Sequence, residues 1–168
     1  YTYDFADLIG VQSYTKLLNA STPGLLGEWT FARSAFGSGF IESKFDEHGC
    51  KLPGAQDLDL ISDIASEWIE ELANTISSAP PRILICSSMF QQNVASLAIL
   101  RAVKKRCPSV RTVMGGPNTE GILGIGLLRR APWLDFICGG EGEETLPELC
   151  KLLLDKKTNT ELPMGVVA

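Results

Sequence analysis

The chain has 168 residues, 45% of them hydrophobic, enough to bury one real core, and its length fits a single domain. Fifteen Lys and Arg against twenty Asp and Glu leave a net charge of -5, so no positive field gathers phosphate backbones, and nucleic acid is excluded as a partner. No apolar run approaches the about 20 residues that cross a bilayer, and no basic start leads into an apolar stretch, so neither membrane nor signal peptide is expected, and the expected location is cytoplasmic.

Residues 1–56 form an aromatic-rich, partly helical or irregular segment expected to pack on the rest. It carries Phe5, Tyr14, Trp29, Phe31, Phe36, Phe40 and Phe45, with a helical patch over Asp4 to Leu18. The stretch opens on Tyr1 in sequence that already looks structured, as expected of a piece of a longer protein. Lys51 to Gln56, with Pro53 and Gly54, reads as a loop. From Asp57 to Ile76, Leu60, Ile64, Trp68, Leu72 and Ile76 recur every fourth position, which predicts an amphipathic helix. Asp57, Asp59 and Asp63 suit its positive N-terminal end, and Pro80-Pro81 end it.

Strand and helix then alternate. Ile83 to Cys86 is a predicted strand, Asn93 to Arg106 a helix with its basic residues late, Arg111 to Met114 a strand, and Gly115-Gly116-Pro117 a turn. Thr119 to Ala131 is a looser stretch, weakened as a helix by Gly121, Gly124 and Gly126, and Leu134 to Cys138 is a third strand. A last helix is expected from about Thr145 to Lys157, with Pro147 tolerated in its first turn, and 159–168 reads as a linker. Residues 57–158 thus form the α/β core. Short apolar strands alternating with helices predict a doubly wound, mainly parallel open sheet of the Rossmann-like or flavodoxin-like kind, with helices on both faces.

In such sheets ligands bind where the strands end at their carboxyl termini, which singles out three loops. Ser87-Ser88-Met89-Phe90-Gln91-Gln92-Asn93 brings hydroxyls to a helix N-terminus, a chemistry suited to phosphate or amide groups, although plain N-capping accounts for it too. Gly115-Gly116-Pro117-Asn118 lets the backbone approach a flat or bulky ligand, or is only a tight turn. Gly139-Gly140-Glu141-Gly142-Glu143-Glu144 exposes backbone N–H groups beside carboxylates at a helix start, where acids also compensate the dipole. Cys50, Cys86, Cys107, Cys138 and Cys150 are odd in number and far apart, as buried reduced thiols would be. No metal ligands and no complete catalytic set are expected.

The order of these loops resembles the cobalamin (vitamin B12)-binding domain of B12-dependent radical-SAM enzymes. That family shows a strand ending in Ser, a helix, a Gly-Gly-Pro turn, and then Asp, two hydrophobic residues, any residue and Gly-Glu-Gly-Glu; here stand Ser87-Ser88, Gly115-Gly116-Pro117 and Asp135-Phe136-Ile137-Cys138-Gly139-Gly140-Glu141-Gly142-Glu143. The match covers Ile83 to Leu154. Leu25-Leu26-Gly27-Glu28-Trp29-Thr30-Phe31-Ala32, with Met89 to Asn93, is similar to the subgroup that matures ribosomally made peptides (RiPPs).

The resemblance implies that the domain holds the corrin above the carboxyl edge of the sheet and its nucleotide tail among the loops. Ser87, Ser88, Gly115, Gly116, Pro117, Gly139, Gly140 and Glu141 would then bind the cofactor. It implies a following radical-SAM domain in the parent protein as partner, a methyltransferase, cyclase or related enzyme carrying the iron-sulfur cluster and S-adenosylmethionine, and a precursor peptide as substrate. The Cys-x-x-x-Cys-x-x-Cys motif of that domain does not occur here, so radical chemistry does not belong to this stretch. The family's opening strand and helix are likewise not recognisable. His48, the only histidine, echoes the Asp-x-His of another cobalamin loop, but Lys51 stands where that loop needs Gly, and a solvated histidine fits better.

Three other readings remain at this point. An enzyme in its own right has little support with one histidine and no Ser/His/Asp order. An FMN-binding or receiver-like module uses the same sheet and crevice. A non-catalytic interaction domain would show Trp29 or Trp68 exposed.

Overall fold

A computed structural model describes residues 2–12, 15, 25–37, 55–155 and 161–168. The first helices are α1 (Thr2–Ile9), α2 (Leu26–Phe36) and α3 (Ala55–Ser78). There follow β1 (Ile83–Ser87), α4 (Asn93–Arg106), β2 (Arg111–Gly115), a 3-10 turn over Pro117–Thr119, α5 (Ile122–Arg130), β3 (Phe136–Cys138), α6 (Gly142–Leu154) and β4 (Val166–Val167). Among the described residues no helix is long and apolar enough to cross a membrane.

The strands lie in the order β1-β2-β3-β4; β1, β2 and β3 are parallel and β4 is antiparallel to β3. The chain is therefore α/β with a mostly parallel open sheet. A right-handed crossover moving always in one direction leaves its helices on one side, which is why α4 and α5 share a face. Met114 and Ile137 point to that face and pack with Leu97, Leu100 and Val103 of α4. The opposite face carries Val113 and Cys138 and is covered by α6 through Leu149, with Val166 of β4 joining them. Helices thus lie on both faces, four of the six described helices toward one of them. Among the described strands the order never reverses.

The N-terminal helices are part of the same packing. Phe5, Phe31 and Trp68 meet with ring centroids 5.2 to 6.2 Å apart. Trp68 is half-buried, as is Trp29, so neither offers the exposed indole of an interaction surface. Arg101 of α4 donates to Ala35 O at 2.9 Å, compensating the C-terminal end of α2, and stacks its guanidinium 5.1 Å from the Trp133 ring centroid. Tyr14, Phe40, Phe45, His48 and Cys50 lie outside the described residues.

Three elements differ from their sequence-based expectation. The last helix starts at Gly142 rather than at Thr145, so Pro147 lies inside it and not in its first turn. The stretch Thr119 to Ala131 holds a proper helix despite its glycines. Gly124 is needed there, because a Cβ on it would overlap Thr119 O and stand 2.8 Å from Ile137 Cγ2. The propensity penalty of glycine is offset by close approach of α5 to the sheet. Within the expected linker, Val166–Val167 instead completes the sheet edge as β4.

Candidate functional site

The parallel strands deliver the three loops to one edge, as the Ile83↔Arg111 to Ser87↔Gly115 and Val113↔Phe136 to Gly115↔Cys138 registers require. The first two loops are locked to each other. Ser88 is wholly buried, donates its hydroxyl to Asn93 Oδ1 at 2.7 Å and accepts from Asn118 Nδ2 at 3.1 Å. Its backbone N–H reaches Gly115 O at 2.8 Å. Gly116, at φ 97°, lies so close that a Cβ would stand 2.6 Å from Ser88 O. The backbone freedom of Gly116 thus serves loop-to-loop contact. Ser87 is exposed, as are Pro117, Gly140 and Glu141, while Gly115 and Gly139 are half-buried.

At the start of α4 the N-terminal amides already have an acceptor. Glu28 of α2 takes Asn93 N–H at 3.1 Å on one carboxylate oxygen and Val94 N–H at 2.6 Å on the other. Beside it Gly27 N–H donates to Gln91 Oε1 at 2.9 Å. Burial pushes the Glu28 carboxyl above its ordinary range, and the two backbone N–H groups only partly oppose this. The Gly27-Glu28 and Gln91-Asn93 segments therefore meet in space as one joint, and the anion site read from this helix start is filled by the protein's own carboxylate.

The third loop is tied to the segment before β4. Gly139 N–H donates to Gly165 O at 2.9 Å, and Gly165 has φ 86°. Glu141 stands at the N-cap of α6 without a side-chain capping bond. Among the described residues, a Cβ on Gly140 or Gly142 would meet no heavy atom within 4 Å, which leaves room at these two positions.

Behind the edge, Asp135 is a scaffold residue. Its Oδ2 accepts from Lys104 Nζ at 2.6 Å and from Thr112 N–H at 2.8 Å, while Lys104 also reaches Val110 O at 2.8 Å. Burial raises this carboxyl, but the hydrogen bonds from Lys104 and Thr112 and the Lys104 charge outweigh it, and its pKa is lowered. The motif's Asp thus stitches β3 to β2 and α4.

The loops also carry large apolar side chains that face water. Phe90 is 83% exposed after β1, Ile122 is 83% exposed with Leu123 beside it after β2, and Met164 is 94% exposed before β4. Because β4 runs antiparallel to β3, Met164 belongs to the same edge. Sequence reasoning placed Phe90 and Asn118 in the candidate loops without giving either a role of its own, and it did not name Ile122, Leu123 or Met164; Asn118 follows the Gly-Gly-Pro turn and pins it to Ser88. Among the described residues no cluster of three His, Cys, Asp or Glu side chains could hold a metal ion. Comparison with protein-family models, with curated proteins and with solved structures found no match.

Proposed function

We propose that this chain is a cobalamin-binding domain of the kind that precedes the radical-SAM domain in B12-dependent enzymes, in the subgroup that matures ribosomally made peptides. The observation that carries the reading is the loop edge itself: three strand ends bring Ser87, Gly115-Gly116-Pro117 and Gly139-Gly140-Glu141 to one side of the sheet, with an exposed apolar rim around them. Exposed apolar side chains on several loops of one edge suit a ligand or partner that spans those loops.

The residues present fit a large, flat, amide-fringed ligand. Open space above Gly140 and Gly142 admits bulk, Glu141 offers an acceptor to peripheral amides, and Met89, Phe90, Ile122 and Met164 offer apolar contact to a macrocycle. Ser88, Gly116 and Asn118 act behind them by holding the first two loops in place. Bound cobalamin would supply a cobalt centre for methyl transfer or radical-coupled chemistry; this chain's share is to bind and orient it. The iron-sulfur cluster and S-adenosylmethionine belong to the partner domain, and the precursor peptide to the assembled enzyme. In the finer Rossmann-like, doubly wound form, a further strand would pair with β1, an edge strand among the described residues.

The FMN reading is weakened by Glu28, which fills the first helix N-terminus where a phosphate would sit. The interaction-domain reading draws on the same rim, whose exposed Ile122, Leu123 and Met164 also suit a protein partner.

Gel filtration of the chain with hydroxocobalamin tests the proposal, with Gly142→Trp as the blocking variant. Co-eluting corrin absorbance that disappears in this variant supports it; absorbance retained unchanged in the variant contradicts the assigned edge. Gly116 is the wrong place for such a probe, since any side chain there collides with Ser88.

A further inference from the structure

Phe90 combines two features that each work against stability. Its backbone sits at φ 52°, in the left-handed region that bulky side chains rarely occupy. Its ring is 83% exposed and belongs to none of the hydrophobic clusters of the described residues. The conformation is enforced from both sides: Phe90 O accepts from Asn118 Nδ2 at 2.7 Å, and the preceding Met89 N–H donates to Gln92 Oε1 at 3.0 Å. Asn118 itself is anchored through the buried Ser88 hydroxyl. A glycine would sit here without strain, and a polar residue would face water without penalty.

Strain held by a dedicated polar frame, in a residue the core does not use, marks a position kept for a ligand. We propose that Phe90 is a stacking residue whose ring packs on the broad face of the corrin. The inference rests on the cobalamin reading above. The choice of the macrocycle over the nucleotide tail follows from exposure: a ring standing this far out of the loops meets a face lying over the edge, whereas a tail threads between the loops. An aromatic ring suits that role because it offers a rigid, flat, polarisable surface with few rotors to freeze.

The test is spectroscopic titration of the chain with hydroxocobalamin and with cobinamide, which lacks the nucleotide tail, alongside urea unfolding. Asn and Gly both tolerate the left-handed backbone, so Phe90→Asn and Phe90→Gly are expected to unfold at the same or higher urea concentration than wild type. Both should bind either corrinoid about tenfold more weakly, the scale of one lost aromatic stacking contact. Phe90→Trp should retain binding. Unchanged affinity in the Asn and Gly variants, with wild type binding, overturns the role of Phe90 and leaves the cobalamin reading standing. Weakening for hydroxocobalamin alone moves the contact to the nucleotide base and overturns the macrocycle assignment. Marked destabilisation of both variants makes Phe90 a packing residue and overturns the inference, and failure of wild type to bind either corrinoid overturns it together with the cobalamin reading.

Discussion

Replacing Asp135 with Asn keeps the shape of the β2-β3 joint and removes its charge. Lys104, with 19% of its side chain exposed, then keeps Val110 O and a neutral amide oxygen but loses the negative charge of its 2.6 Å partner. Breaking a partly buried pair while its partner stays behind costs about 3 kcal/mol when fully enclosed, and the 20% exposure of Asp135 reduces this to about 2 kcal/mol. Thr112 N–H still finds an acceptor in the Asn carbonyl, so the backbone ladder survives. Urea unfolding at pH 7, followed by far-ultraviolet circular dichroism, reads the difference as a lower midpoint at unchanged slope. In the double variant with Lys104→Met, most of the loss should return, because both partners are then gone. The pH dependence has a definite sign: a lowered folded pKa contributes stability that is present above the unfolded value near 3.9 and is lost as pH falls through the folded value. The wild-type advantage over Asp135→Asn should therefore fade only below about pH 4. A variant within about 0.3 kcal/mol of wild type at pH 7, the order of additivity error, would mean that the Asp135 charge does not hold the joint.

Glu28→Ala leaves the Asn93 and Val94 amides without their acceptor and should lower stability by about 1 to 2 kcal/mol, while Glu28→Gln restores part of it. Since burial raises this carboxyl above its ordinary 4.5, the folded state holds the proton more tightly, and the group's contribution is largest in acid and falls as pH rises through the raised value; thermal melts of wild type and Glu28→Gln between pH 4 and 7 read that slope. Gly124→Ala and Gly126→Ala should move in opposite directions despite lying in one helix. The first collides with Thr119 and should destabilise by about 1 to 3 kcal/mol, whereas the second meets open space and should stabilise by about 0.5 to 1 kcal/mol; equal effects in urea unfolding would contradict the packing of α5. Burial pushes the Cys86 thiol up to about 11, so alkylation at pH 8, mapped by mass spectrometry, should be much slower in the folded than in the unfolded chain.

Elements with strong local signals were readable in the sequence. The every-fourth apolar spacing of α3 and the late lysines and arginines of α4 give those helices, and the apolar runs at Ile83 and Arg111 give β1 and β2. What local pattern could not supply was long-range complementarity. Gly124 reads as a helix breaker until Ile137 and Thr119 are placed against it, and Val166-Val167 is too short to signal a strand without Cys138 beside it. The three loops were legible as strand ends, but Glu28 lies 65 residues from Asn93, and no spacing rule joins them. The exposure of Phe90 and Met164 was equally hidden, because an apolar residue in a sequence suggests a core.

The measurement that bears most directly on the central claim is isothermal titration of hydroxocobalamin into the chain, with the visible spectrum of the complex recorded after separation from free ligand. One corrinoid should bind per chain, with binding lost in Gly142→Trp while that variant's unfolding curve matches wild type. A chain that folds cooperatively, yet shows no heat of binding and carries no corrin absorbance at millimolar ligand, would contradict that claim.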